Sequence, residues 1–304
     1  MRHKDKTIRR SSSMETKRIG FIGLGLMGSE MVRNLLSHGF QVIGYDIDRN
    51  KVDAVIELGG KGLEDPEQLA EHVEIIILSL PNSYIVDEVV IKSLKLLETG
   101  AEGLILIDTT TADPVLSESL AVKLRKREIE MLDATIIGGP QMFAEKEVTL
   151  MVGGEKHIYD LCNSVFNALS NQIFYVGSNG LGAQMKLMVN MVGGLNRMVL
   201  AEALSLSEKA GLDKHLLLEV LKNSAHYSRA MGGKGNRMVE RDFLPPQGKL
   251  AFHLKDVQLM LDLGERLNFS LPLSSLHAQA LTSLVEKGRG EWDNTAIISY
   301  YEEK

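Results

Sequence analysis

The apolar positions fall into two regimes along the chain. From Lys17 to about Val176, short β-rich runs alternate with stretches of helical periodicity, the pattern of a doubly wound, mainly parallel sheet. Strands are predicted at Ile19–Ile22, Gln41–Tyr45, Ile75–Leu80, Leu104–Asp108, Met131–Ile136, Thr149–Val152 and Ile173–Tyr175. Helices are predicted between them at Ser29–His38, Arg49–Leu58, Pro66–Glu71, Ile85–Leu97, Pro114–Lys126 and Glu155–Leu169. After Gly182 the β-rich runs give way to long helical patterns, interrupted at Gly232-Gly233 and Pro245-Pro246. An α/β domain over residues 18–178 is therefore expected, followed by an all-helical domain over residues 179–304. A long helix from roughly Leu181 to Ala210 joins them. In its middle Gly193-Gly194 costs roughly 1 kcal/mol per glycine relative to alanine, which points to a close helix crossing or an approaching ligand.

Where the first strand ends, Gly23, Gly25 and Gly28 punctuate the turn into a helix. The first glycine permits the turn, the second lets a phosphate approach the bare N–H groups, and the third lets helix pack on strand. Glycine-rich turns occur in any α/β domain, and an ordinary strand–turn–helix has the same look. The second strand, however, ends in Asp46, eighteen residues after Gly28, where a carboxylate can accept hydrogen bonds from an adenosine ribose. The pair of signals points to a Rossmann domain that binds a dinucleotide. Ligands on such a sheet bind beyond the carboxyl ends of the strands, so Leu80-Pro81-Asn82, Asp108 to Thr111 and Gly138-Gly139-Pro140 are expected to line the cleft.

Forty acidic against thirty-four basic residues give a net charge of −6, which disfavours a nucleic-acid or anionic-membrane partner. No apolar run reaches transmembrane length. The single cysteine, Cys162, excludes an internal disulfide framework; its apolar neighbours predict a buried, inert thiol and a reducing, cytoplasmic setting. Eight histidines without HExxH spacing, and no CxxC, give no reason to expect a metal centre. Residues 1–17 carry six Lys/Arg and Ser11 to Ser13 without the apolar segment of a secretory signal. A disordered basic leader ahead of a second candidate start at Met14 is expected, with an organelle-targeting leader or a nucleic-acid arm as the alternatives.

Lys186 and Asn190, four apart at the start of the long helix, project from one face, and Gly177 to Gly182 precede them. A lysine near a helix N-terminus is repelled by the macrodipole, and partial burial lowers its pKa further, which suits acid/base work. From spacing alone a solvated surface Lys–Asn pair is the readier reading. Lys255, read by itself, is an ordinary helix-surface residue.

Together, Phe21 to Gly28 with Met31, Leu80-Pro81, Asp108 with Thr110-Thr111 and Pro114, Asp133 with Gly138-Gly139, Gly177 to Asn190, and Phe252 with Lys255-Asp256 resemble the β-hydroxyacid dehydrogenase family, which includes 3-hydroxyisobutyrate dehydrogenases and tartronate semialdehyde reductases. The matches run in order from about residue 18 to 275. The resemblance implies reversible hydride transfer between the hydroxyl-bearing carbon of a short β-hydroxy acid and NAD(P), giving the semialdehyde or keto form. It implies that Lys186 is the general acid/base and that Asn190 orients the substrate and the lysine. Cofactor contacts would come from Gly23, Leu24, Gly25, Met27, Gly28, Asp46, Leu80, Pro81, Thr111 and Lys255, with Lys255 closing the site over the nicotinamide. Backbone N–H groups around Gly138 and Gly139 would hold the substrate carboxylate. Asp46 followed by Ile47, where NADP-preferring members tend to place an arginine after an asparagine, favours NAD over NADP; Arg49 is the residue that could upset this. A homodimer or homotetramer is implied as well.

The family pattern also fails in places. Thr135-Ile136-Ile137 stands where Pro-Val-Ser is usual, so Ile137 replaces a hydroxyl that binds the substrate carboxylate, a loss of ~1–3 kcal/mol unless Thr135 compensates. Met142, Phe143, Lys146 and Glu147 replace small residues. Substrate identity therefore does not carry over; the pocket either takes a larger or less polar molecule or has drifted without function. Two alternatives compete. Imine reductases of the same architecture typically lack a lysine at the position of Lys186, and non-catalytic dinucleotide-binding scaffolds, as in relatives recruited to chromatin, have lost it. A full 6-phosphogluconate dehydrogenase would need a longer helical domain.

Overall fold

A computed structural model describes residues 17–99 and 102–303. The expected leader, apart from Lys17, and the candidate start at Met14 lie outside the described residues. Eight strands form one sheet: β1 (Arg18–Ile22), β2 (Gln41–Tyr45), β3 (Lys61–Gly62), β4 (Ile75–Leu78), β5 (Ile105–Asp108), β6 (Glu130–Ile137), β7 (Thr149–Gly154) and β8 (Gln172–Gly177), in the order β3-β2-β1-β4-β5-β6-β7-β8. All neighbours are parallel except β6 and β7. The chain leaves β1 toward β2 on one side and resumes at β4 on the other, so the topological switch point lies at the carboxyl end of β1.

Central strands read as unbroken apolar runs because helices cover both faces of the sheet. Phe21, Ile75 and Ile77 enter the core on one face; Ile22, Ile76 and Leu78 enter the core on the other. The helical part has its own core, built around Leu204, Leu250, Met238 and Leu281. A 29-residue helix, Leu181–Lys209, forms the spine between them. Asp133 on β6 fastens it to the sheet: its two carboxylate oxygens accept the N–H groups of Gly180 (3.0 Å) and Ala183 (2.9 Å). At Gly182 an added Cβ would lie 2.3 Å from the Asp133 carbonyl, and at Gly194 2.6 Å from the His253 ring, so both crossings need glycine. Gly193 is different, with nothing near it but the Arg197 guanidinium at 3.8 Å.

Several elements depart from the pattern reading. The first helix, Leu26–Ser37, starts three residues before Ser29, inside the glycine motif, and its N-cap is Gly25. The segment read as helix Ile85–Leu97 is broken: an α-helix Ser83–Glu88 passes into a π-turn Val89–Ser93, and Lys95 takes φ 48° before a last short turn. Glu155–Leu169 is two helices, Lys156–Leu161 and Asn163–Leu169, hinged at Cys162. Pro66–Glu71 is a 3-10 turn followed by one α-turn. The two-residue β3 and the short helix Pro140–Ala144 carry too few apolar positions to show a period.

Candidate active site

The switch point is shaped for a dinucleotide. Gly23 has φ +92°, which an L side chain rarely adopts, and an added Cβ there would meet the Ser79 carbonyl at 2.2 Å. At Gly28 a Cβ would lie 2.0 Å from the Gly23 carbonyl, whereas at Gly25 it would meet nothing within 4 Å. Gly25 thus borders open space at a helix N-terminus with no side-chain cap, where backbone N–H groups and the positive end of the dipole can hold a pyrophosphate. Asp46 sits beside this turn. Its carboxylate accepts the N–H groups of Leu24 (2.7 Å) and Asp48 (2.9 Å), and Lys51 stands 3.4 Å away. Leu24 itself is buried in the core. Arg49 pairs with Asp53 at 3.2 Å, and Ile47 is 95% exposed.

A cleft of about 320 Å³ opens past the strand ends, lined by Met27, Leu80, Pro81, Thr111, Gly138 and Gly139 from the sheet side and by Lys186, Gln247, Phe252, Lys255 and Asp256 from the helical side. Thr110 holds its lip: the Thr110 hydroxyl oxygen accepts the Leu80 N–H at 3.1 Å, and the Thr110 N–H donates to Asp108 at 2.9 Å. Lys255 bridges the two sides, donating to the carbonyls of Pro81 (3.2 Å) and Thr111 (3.0 Å). Asn190 donates to Asp256 at 2.9 Å, and the other oxygen of Asp256 lies 3.3 Å from the Lys255 ammonium.

Lys186 projects from the first turns of the spine helix to the Ile136 carbonyl, its hydrogen-bond partner. Burial pushes its amine down to about 8, with the Lys255 charge adding to the fall and Asp256 opposing it. An amine titrating there can both take and give a proton near neutral pH. A second cavity of about 710 Å³ adjoins the cleft, sharing Lys186, Gly138, Gly139 and Asp256 and adding Asn190 and Arg197.

The structure therefore brings together Met27, Leu80, Pro81, Thr111, Gly138, Gly139, Lys186, Asn190 and Lys255, with Gly23, Gly25, Gly28 and Asp46 at the neighbouring turn. It does not bring Thr135 or Ile137 to either cavity. The Thr135 hydroxyl is buried and donates to the Gly182 carbonyl at 2.8 Å, so it is committed to the strand–helix junction and is not turned to a ligand. Ile136 lines the cleft instead of Ile137. The sequence reading missed Gln247 and Arg197; the signal for Arg197 is its place eleven residues, three helical turns, after Lys186. Cys162 is buried, and burial lifts its thiol to about 11. Among the described residues no group of three or more metal-ligating side chains occurs, and no helix is long and apolar enough to cross a membrane.

Comparison with known proteins agrees with this geometry. Residues 18–177 match the family described as the NAD binding domain of 6-phosphogluconate dehydrogenase, and residues 180–301 match the one described as the NAD-binding region of NADP-dependent 3-hydroxyisobutyrate dehydrogenase. The chain is 31% identical to 2-(hydroxymethyl)glutarate dehydrogenase of Eubacterium barkeri, over 94% of this chain and 95% of that protein. It is 29% identical to mitochondrial 3-hydroxyisobutyrate dehydrogenase of Mus musculus, over 97% and 90%. A crystal structure of 3-hydroxyisobutyrate dehydrogenase from Salmonella typhimurium superposes with a TM-score of 0.85 at 24% identity, covering 93% of this chain and 99% of that one.

Proposed function

The chain belongs to the β-hydroxyacid dehydrogenase family of NAD(P)-dependent oxidoreductases acting on CH–OH groups, and we propose that it interconverts a short β-hydroxy acid and its semialdehyde with Lys186 as proton donor and acceptor. When bound, the nicotinamide dinucleotide accepts or supplies the hydride at the substrate carbon. The observation that carries the reading is the buried Lys186 amine, brought down to about 8 and shared by the cofactor-side cleft and the adjoining cavity.

In oxidation the neutral amine takes the hydroxyl proton; in reduction the ammonium protonates the forming alkoxide. Asn190, held by Asp256, orients the hydroxyl beside it. The backbone N–H groups of Gly138 and Gly139, ahead of the helix Pro140–Ala144, receive the carboxylate in place of the serine hydroxyl absent at position 137. Lys255 fastens the helical side over the cofactor loops and excludes water from the reacting carbon. The Asp46 carboxylate repels a 2′-phosphate, and Arg49 is engaged by Asp53, so NAD is the preferred cofactor. Exposed Met188, Val192, Val199 and Leu206 along the spine helix support assembly as a homodimer or homotetramer.

The test is fluorescence titration with NADH and NADPH separately, followed by assay of C3–C5 β-hydroxy acids and semialdehydes against Lys186→Ala. Tighter NADH binding with Lys186-dependent turnover on a panel member is expected. Binding without turnover on the whole panel would point to a substrate outside it or to a dinucleotide-binding scaffold, and no binding of either nucleotide would sink the reading.

A further inference from the structure

One face of the spine helix carries Lys186, Asn190, Gly193 and Arg197, separated by four, three and four residues, so the four positions stack along a single side. Lys186 and Arg197 are separated by about 16 Å of helix rise, and both line the cavity of about 710 Å³. Between them Gly193 leaves the helix surface bare, with only Arg197 within 4 Å of an added Cβ. The wall of this cavity thus carries both the Lys186 amine and, three helical turns further on, the Arg197 guanidinium.

Among the described residues lining this cavity, Lys186 and Arg197 are the cationic side chains without a carboxylate at salt-bridge distance, and Lys186 is given to the Ile136 carbonyl. Lys234 is 3.2 Å from Asp293, and Lys249 is 2.6 Å from Glu291. Asp256 lines the same cavity, but Asn190 and Lys255 hold its oxygens. Among the described residues Arg197 makes one hydrogen-bonding contact, from Nη2 to Nε2 of His253 at 2.9 Å. That ring is buried and kept neutral, its pKa well below the usual histidine range, so it orients the guanidinium without neutralising it. Burial lowers Arg197 itself to about 10, with Asp293 and Asp256 opposing from a distance, so it stays cationic at neutral pH. A half-buried guanidinium with most of its five N–H donors unused is suited to bidentate capture of a planar anion.

We propose that Arg197 binds a second carboxylate of the substrate and makes the enzyme select an extended β-hydroxy diacid over a monocarboxylate. This rests on the dehydrogenase reading above and deepens it. The first carboxylate lies at Gly138-Gly139, the hydroxyl-bearing carbon at Lys186, and the distal carboxylate farther along the same cavity at Arg197.

Steady-state kinetics with NAD⁺ on 3-hydroxyisobutyrate and 2-(hydroxymethyl)glutarate, for wild type, Arg197→Met and Arg197→Lys, tests this. The expected result is a wild-type preference for the diacid that Arg197→Met lowers by about 10–100-fold through KM, with a change of less than about threefold on the monoacid and partial recovery in Arg197→Lys. An equal loss on both acids, or no wild-type preference for the diacid, overturns the proposal. Isothermal titration with inert 2-methylglutarate and isobutyrate, with and without NADH, separates this from failure of the dehydrogenase reading. Diacid binding that disappears in Arg197→Met upholds the anion site even if neither alcohol is turned over. Diacid binding that is absent in wild type or unchanged in the variant sinks it.

Discussion

Replacing Asp108 by asparagine should stabilise this protein at alkaline pH, and the gain should shrink on acidification. Asp108 closes β5, is 2% exposed and lies directly beside Asp133 in the β5–β6 register. Burial, aided by the like charge of Asp133 and opposed by hydrogen bonds from Thr110, lifts its pKa from 3.8 to about 7. An acid whose folded pKa exceeds its unfolded value binds more protons when folded, so stability falls as pH rises from 3.8 to about 7 and is level beyond. The whole window corresponds to about 4 kcal/mol, on the order of the cost of holding this carboxylate charged in the sheet. Asparagine keeps an oxygen to accept the Thr110 N–H and carries no charge. The stability difference between variant and wild type should therefore grow by about 3 kcal/mol from pH 5 to pH 8. Urea denaturation of both proteins at the two pH values measures it. A difference that is flat in pH, or larger at pH 5, would refute the reasoning.

The glycine motif separates binding from stability: Gly25→Val, with open space at its Cβ, should keep the melting temperature and lose about 100-fold in NADH affinity. Gly28→Ala should instead cost about 3 kcal/mol in chemical denaturation, because its Cβ meets a backbone carbonyl at 2.0 Å. Asp113 both caps the helix Pro114–Arg125 through the Val115 N–H and receives a two-pronged bond from Arg266 of the helical side. Asp113→Ala should therefore cost about 1–2 kcal/mol, whereas Arg266→Ala, with a side chain 44% exposed, should cost less than about 1 kcal/mol; the reverse order in urea titration would show that the cap does not matter. The oxidation rate should climb with pH through about 8 as the Lys186 amine loses its proton, and the reduction rate should fall across the same range. Profiles in the two directions that move together would assign the proton transfer to another group.

Much of the fold is legible in the sequence because burial on both faces gives β4 and the start of β5 unbroken runs of Ile and Leu, and gives β1 and β2 short apolar segments, that no amphipathic helix would show. The breaks are less legible. Nothing in residues 85–97 announces the left-handed turn at Lys95, which is neither glycine nor asparagine. The reversal of β7 is likewise set by the connection through Pro140–Ala144, which leaves no period to read. In the site, positions adjacent in sequence to glycine motifs were readable because backbone geometry dictates them. Thr135 was not: strand alternation places its hydroxyl, but only the tertiary contact with Gly182 decides that it serves the junction. The Lys186–Arg197 spacing is readable on the helix, yet the cavity that both residues line appears only once the helices are packed.

Lys186→Ala tests the proton transfer proposed for the Lys186 amine most directly. Turnover of a β-hydroxy acid at saturating NAD⁺ should fall by about 10²–10⁴-fold in Lys186→Ala, with NADH affinity unchanged within a few-fold. Turnover at the wild-type rate in that variant, with cofactor affinity intact, would contradict it.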